Sequence, residues 1–306
     1  MGTREKPLDG IKIAIDPGHI GGEWAKIEER WFVVGNGTPV IEGEMTLKVA
    51  QLLKPKLENL GASVSLVRDQ LEPITAKRPE SLADLAKSAI GQDDSPAAIQ
   101  RTAERLFYRT AEIQDRANLV NETLKPDIVL CLHFNAEGWG NPNQPKLVDA
   151  HHFHLLLNGG YTDEEIALID QRFEMLQRLL QRIHEEEVLI GSTVADTFGR
   201  ITGLPPYTYQ FTNNFRAIDG QPYLWARNLL ANRLYQCPVV FMEPYVMNST
   251  IDYHRIQAGD YEGLREVNGK MQPSIFREYA NALAEGLMNY YSKGHRLKVE
   301  SGIENF

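Results

Sequence analysis

His19 follows directly on Asp16-Pro17-Gly18, a tight turn, and Glu42 stands shortly before a helix start near Thr46. His133 leads into Phe134-Asn135-Ala136, and Glu243 precedes a proline. Two histidines and a carboxylate can supply three ligands to zinc and leave the fourth position to water. A second carboxylate nearby can act as general base on that water. Eight histidines and many glutamates allow other combinations. Hydrogen-bonded core histidines would account for His19 and His133 equally well.

The elements that must position these residues are legible from periodicity. Residues 11–16 form a short β-branched run that ends in Pro-Gly, a strand with its C-terminal end marked. Val49, Leu53, Leu57 and Leu60 recur at helical spacing over 46–60, and Gly61 supplies the stop. Ser63 to Val67 reads as a second strand. Residues 128–134 and Pro238 to Glu243 are nearly continuous apolar runs, as in strands buried on both faces of a sheet. Further helices are predicted over about 164–187, 222–235 and 274–292. In the first, Ile166, Ile169, Phe173, Leu176, Leu180 and Ile183 share one face. Strands alternating with helices imply an α/β fold, a mainly parallel twisted sheet with helices on both faces. Ligands bind beyond the carboxyl ends of such strands, and His19, His133 and Glu243 all fall there.

Residues 137–149 and 192–221 are rich in Gly, Pro, Asn and Thr and read as long loops, which in a compact domain are usually functional or mobile. Residues 72–112 hold a Pro- and Asp-containing loop and the start of a helix over about Pro96 to Gln114. No repeat and no separate binding module is visible. The expectation is one domain over 8–293, interrupted by an insertion at about 72–112 and followed by a tail over 294–306.

The chain has 306 residues, 32 Lys+Arg against 41 Asp+Glu, and a formal charge of −9. A nucleic-acid binder usually shows a basic footprint, so this balance argues against one. No apolar run approaches the ~20 residues of a membrane span. Cys131 and Cys237 sit in apolar stretches and read as small core hydrophobes rather than a disulfide. The polar N-terminus, MGTREKPLDG, lacks the apolar core of a signal peptide. Either the protein is cytosolic or an export signal has been removed.

Five motifs, in order, sharpen the picture. Ile13-Ala14-Ile15-Asp16-Pro17-Gly18-His19 with Gly21-Gly22 resembles the IDPGHGG signature of the zinc-dependent N-acetylmuramoyl-L-alanine amidases, a family of cell-wall hydrolases. Glu42 with Thr46-Leu47-Lys48-Val49-Ala50 is similar to the family's second motif, a glutamate ahead of a helix start. Arg116-Ala117-Asn118 before Asp127-Ile128-Val129-Leu130 resembles its third, and Leu132-His133-Phe134-Asn135-Ala136 its fourth. Pro238-Val239-Val240-Phe241-Met242-Glu243, with Asn248 beyond, is similar to the closing motif.

The resemblance implies one catalytic Zn2+ held by His19, Glu42 and His133, with Glu243 as the catalytic carboxylate. Glu44 competes with Glu42 for the metal. The family's glutamate lies five residues before the helix-start leucine, here Leu47, which favours Glu42. The implied reaction is hydrolysis of the amide between N-acetylmuramic acid and L-alanine. The partner is then peptidoglycan, and the location periplasmic or extracellular. The sequence names no protein activator.

Departures fall on the surroundings. Ile20 separates the histidine from the glycine pair, Cys131 replaces a serine, a Gly-Trp-Gly-Asn-Pro-Asn loop follows Asn135, and the 72–112 insertion is long. They leave two other readings open: a metallopeptidase or amidase with another substrate, and a non-catalytic wall-binding protein. The insertion holds none of the four site residues, so it is expected to bear on access or regulation rather than on chemistry. His152 and His154 share a strand face opposite His151, a second metal site or, more simply, a polar strand start. Arg101, Arg105 and Arg109 form a basic stripe, read as a solvated face with local ion pairs or as a partner or substrate contact. Pro205-Pro206-Tyr207-Thr208-Tyr209, with Asn213, Asn214 and Arg216, reads as a surface loop that could line a glycopeptide cleft.

Overall fold

The computed structural model describes residues 6–91, 95–210 and 213–292, so the tail over 294–306 and the first five residues lie outside it. The first half of the chain forms β1 (Lys12–Pro17), α1 (Glu42–Asn59), β2 (Ser63–Leu66), α2 (Ala83–Ile90), α3 (Pro96–Leu106), α4 (Glu112–Asn118) and β3 (Ile128–Leu132). The second forms β4 (Phe153–Leu157), α5 (Ile169–Leu180), α6 (Ile183–Thr202), β5 (Arg216–Ile218), β6 (Gln221–Ala226), α7 (Leu230–Leu234), β7 (Val239–Pro244) and α8 (Ile275–Ser292).

Seven strands make one sheet in the order β2-β1-β3-β7-β4-β6-β5. β2, β1, β3 and β7 run parallel. β4 joins β7 antiparallel, β6 is parallel to β4, and β5 closes the edge antiparallel. Successive side chains point to opposite faces. Ile13, Ile15, Ile128, Leu130 and Leu132 therefore meet α1, α6 and α8 through Val49, Leu53, Ile190, Phe198, Tyr279 and Leu283. Ala14, Val129, Cys131, Val239 and Phe241 face the other way, onto Ala117, Val120 and Tyr235. Both faces are covered, which is why the strands read as unbroken apolar runs.

Three helix expectations are corrected. Residues 222–226 belong to strand β6, and only Leu230–Leu234 is helical. Leu224, Trp225 and Ala226 pair with Leu155, Leu156 and Leu157, and that non-local ladder overrides a helix-like spacing. The helix expected over 164–187 is broken at Leu168 and again at Arg182, whose φ of 56° is left-handed. The chain then continues helically to Thr202, where a loop is expected. The face shared by Ile169, Phe173 and Leu180 points to solvent, with exposures of 77%, 67% and 85%. The helix expected over Pro96 to Gln114 is continuous but runs ten residues further, to Leu124, widening into π-helical turns at Phe107–Ala111, between α3 and α4, and at Leu119–Leu124.

The 72–112 segment is packed into the body. Leu82, Ala86, Ala103, Phe107 and Tyr108 cluster around Ile20, the residue after His19. Glu112 accepts the N–H groups of Ile74 and Thr75 at 3.1 and 2.9 Å. The segment therefore buttresses the His19 turn as well as bordering it, so its role reaches beyond access.

Cys131 and Cys237 are free thiols. Burial pushes the Cys131 thiol well up and that of Cys237 up to about 12. The thiolate is the reactive form. Neither cysteine should therefore react with a disulfide reagent at neutral pH in the native protein, and both should react in denaturant. Rapid labelling of the native chain would contradict that expectation.

Candidate metal centre

β1 delivers His19 through a turn in which His19 itself has a left-handed φ of 62°. A non-glycine residue holds that conformation only if its surroundings fix it, and here they do. Arg116 donates to Asp16 Oδ1 at 2.9 Å, to the Pro17 carbonyl at 2.8 Å and to the His19 carbonyl at 2.8 Å. Its Nε–H donates to Glu112 at 2.7 Å, and the Tyr235 hydroxyl donates to Asp16 Oδ2 at 2.6 Å. Glu28 holds the imidazole: its Oε1 lies 2.7 Å from His19 Nδ1, and its Oε2 accepts the Ile20 N–H at 2.7 Å. A carboxylate on the far ring nitrogen is the usual support of a metal-binding histidine, because it fixes the tautomer and the ring.

Glu42 opens helix α1, and its N–H donates to the Arg30 carbonyl at 3.2 Å. The helix is pinned against the β1 turn. Thr46 Oγ1 donates to the Gly18 carbonyl at 2.7 Å, and Arg68 donates to the Gly43 carbonyl at 2.8 Å. A Cβ at Gly43 would stand 2.2 Å from the Ile20 carbonyl oxygen, so that position accepts only glycine at this separation.

His133 lies one residue past β3, its ring stacked on Phe241 at 4.5 Å and edge-on to His19 at 4.9 Å. Glu42 sits between the two histidines, with Oε2 3.3 Å from His19 Nε2 and Oε1 3.3 Å from His133 Nδ1. One ligand atom from each of His19, Glu42 and His133 falls within 4.8 Å of the others. Glu44, by contrast, is exposed and accepts the Gly22 N–H.

Buried Glu42 Oε2 has no hydrogen-bond partner among the described residues. An orphaned buried carboxylate oxygen facing two imidazoles is costly on its own and suits a divalent cation. Two histidines and a carboxylate with an open side fit zinc.

The electrostatics separate the carboxylates. Burial raises the pKa of Glu42, but His19, the His133 hydrogen bond and Arg30 outweigh it and hold the group down to about 2. Glu28 is lowered in the same way, burial being overcome by His19. Glu243, at the end of β7, is instead pushed up to about 7 by burial, with Glu42 adding to the rise and His133, Arg30 and Arg227 opposing it. It lines a cleft of about 380 Å³ together with His19 and His133. It also lines an adjoining cavity of about 170 Å³ with Glu42, His154, Tyr209 and Arg227. The structure thus gathers His19, Glu42, His133 and Glu243 at the carboxyl ends of the adjacent inner strands β1, β3 and β7.

His151, His152 and His154 have other partners. His152 and His154 both lie against the Tyr207 ring, at 4.3 and 5.2 Å, and His151 approaches Asp252 at 3.1 Å. They form no second three-ligand group among the described residues. Of the supporting residues, Glu28, Arg30, Glu112 and Arg227 carry no recognisable spacing. Asp16, Thr46 and Arg116 stand in motifs.

Gly18 gives a direct test of the packing. A Cβ there would lie 2.3 Å from His133 Cε1. Gly18→Ala is expected to push the ring off its position and weaken metal binding while leaving the sheet folded. Metal content and far-ultraviolet circular dichroism on one preparation check it. Unchanged metal affinity would mean that the ring has room to shift.

The family model described as N-acetylmuramoyl-L-alanine amidase matches residues 13–186. No curated protein matches the sequence. Among solved structures, the chain is similar to the N-acetylmuramyl-L-alanine amidase Ami1 from Mycobacterium smegmatis. That match has 17% identity, covers 94% of this chain and 99% of that one, and has a TM-score of 0.51. It is also similar to the CwlD amidase from Clostridioides difficile, solved in complex with the GerS lipoprotein. There the identity is 11%, the coverage 93% and 100%, and the TM-score 0.50. At such identities the likeness is one of fold.

Proposed function

The chain belongs to the N-acetylmuramoyl-L-alanine amidase family, and from that premise we propose that it cleaves peptidoglycan with one zinc ion held by His19, Glu42 and His133 and with Glu243 as general base. The bond broken is the amide between the lactyl carbonyl of N-acetylmuramic acid and the nitrogen of L-alanine. The observation that carries the reading is the convergence of the three candidate ligands on one point, with Glu243 in the same cleft.

Bound zinc supplies Lewis acidity, polarising a carbonyl and lowering the pKa of water from 15.7 to about 7. Glu28 keeps His19 Nδ1 engaged and so turns its Nε2 toward Glu42. Phe241 and Gly18 fix the His133 ring from its two sides. Glu243 takes the proton of the attacking water as the new C–O bond forms. It then returns that proton to the alanine nitrogen as the C–N bond breaks. A carboxyl suits this exchange because its ionised form accepts the proton and its neutral form returns it.

Peptidoglycan lies outside the cytoplasmic membrane, so this reading places the protein in the periplasm or outside the cell. No helix among the described residues is long and apolar enough to cross a membrane.

The test is metal content together with mass analysis of the products from purified peptidoglycan. Stem peptides should be released with a free alanine N-terminus, leaving glycan with intact muramic acid. Chelation should stop the release and zinc should restore it. Cleavage at any other bond would overturn the assignment.

A further inference from the structure

The walls of the cleft carry an unbalanced set of charges. Its acidic lining residues are Asp16, Glu28, Glu112 and Glu243. Three of them are already satisfied, Asp16 and Glu112 by Arg116 and Glu28 by His19. Arg30, Arg109 and Arg227 line the same cleft, and among the described residues none of them has a carboxylate partner. Arg109 only rides over the Tyr108 ring at 5.5 Å, and Arg227 over Phe215 at 4.6 Å. Arg30 and Arg227 are half-buried. Elsewhere the buried or half-buried Arg178, Arg233, Arg255 and Arg277 meet carboxylates, and Arg68 and Arg78 donate to backbone carbonyls. Three cations left open in one cleft of a chain with net charge −9 point to an anionic ligand.

The chemistry of the scissile bond says which side of the substrate supplies that anion. Once the lactyl carboxyl is an amide, the sugar side carries no charge. The peptide side still ends in carboxylates, and guanidinium forks match carboxylates with two parallel hydrogen bonds. We propose that Arg30, Arg109 and Arg227 bind carboxylates of the peptide stem, so that the protein selects substrates with free stem carboxylates over amidated ones. This rests on the amidase reading and adds the class of stem. Arg30 and Arg227 also bear on the Glu243 carboxyl. If that were their whole role, their replacement would shift the pH profile equally for both kinds of substrate.

The test uses the full chain, zinc-loaded, with two soluble N-acetylmuramoyl dipeptides that differ only in a carboxylate or a carboxamide on the second residue. Calorimetry on the Glu243→Gln protein reads binding without turnover. The acid should bind about tenfold more tightly than the amide, and the preference should shrink as salt is raised. Adding Arg109→Gln with Arg227→Gln should bring the ratio close to one, whereas the two Arg→Lys changes should keep much of it. On the unsubstituted enzyme the difference should appear in KM rather than in kcat. Equal binding of acid and amide, or a preference that survives both Gln substitutions, would overturn the proposal. If the acid is preferred in binding but neither dipeptide is hydrolysed, the amidase reading fails while the carboxylate site stands.

Discussion

Glu243→Gln is expected to lower peptidoglycan hydrolysis by on the order of 10²–10⁴-fold, the usual contribution of a general base, while zinc stays bound at full stoichiometry. The reason is positional. Glu243 borders the cleft beside His133 but is not one of the three groups whose ligand atoms converge. The amide keeps the size of the side chain, and Glu243 makes no ion pair among the described residues, so the fold should be retained. Activity in the unsubstituted enzyme should also fall as the pH drops through the Glu243 pKa, because only the carboxylate accepts a proton. Burial puts that pKa at about 7 in the protein without metal. A bound dication would draw it lower, which moves the acid limb but not its direction. Zinc content and product release measured on the same samples decide the matter. Near-normal turnover would remove Glu243 from the mechanism, and lost zinc would make it a ligand.

Glu42→Ala should have the opposite signature: metal and activity lost together, and stability reduced as well. Glu42 Oε1 accepts the Phe134 N–H at 3.1 Å besides facing His133. Truncation leaves that buried N–H without a partner, at a cost of about 1–3 kcal/mol. Glu42 is held in its charged form by His19, His133 and Arg30 against the pull of burial. Because its folded pKa is depressed to about 2, it contributes stability that is present above the ordinary carboxylate range. That stability is lost as pH falls from there toward 2. The metal-free variant should therefore show a weaker acid dependence of its melting temperature than the metal-free parent. His133→Ala should also empty the site, but it keeps Glu42 with His19 and Arg30 beside it, so the acid dependence should weaken only in part. Thermal unfolding across pH, read beside zinc content, distinguishes the two. A Glu42→Ala protein that binds zinc as the parent does would remove Glu42 from the ligand set.

Strands β1, β2, β3 and β7 and helices α1 and α8 are legible in the sequence because each has a local signal: a β-branched run, an apolar run or a 3.6-residue stripe. β6 is not. Tyr223, Leu224 and Trp225, followed by Leu229, Leu230 and Leu234, imitate a helical stripe. Only the ladder to Leu155–Leu157 makes the first part a strand. The apolar face of α5 misleads for a related reason: periodicity reports that a helix is two-sided, not that its apolar side is covered. At the candidate site, His19, Glu42, His133 and Glu243 stand in motifs and can be named in advance. Glu28, Arg30 and Arg227 cannot, since their roles arise from approach in three dimensions. Arg116 is visible as a motif residue, but its four hydrogen bonds around Asp16, Pro17, His19 and Glu112 are not.

Arg116 closes the His19 turn across 100 positions of sequence, and His133 meets Glu42 across 91. Contacts at such separations are among the slowest to form, because loop closure must precede any reward from them. The ion site therefore has no local precursor: an isolated β1–α1 fragment holds His19 and Glu42 but lacks both the clamp and the third ligand. On the proposed ligand set, metal capture would be a late kinetic event that follows docking of β3 onto β1. During refolding, the rate at which the protein takes zinc from a chromogenic chelator should track the slow recovery of tertiary structure, not the earlier recovery of helix. The cation would then act as a latch on a finished fold rather than as a seed for it.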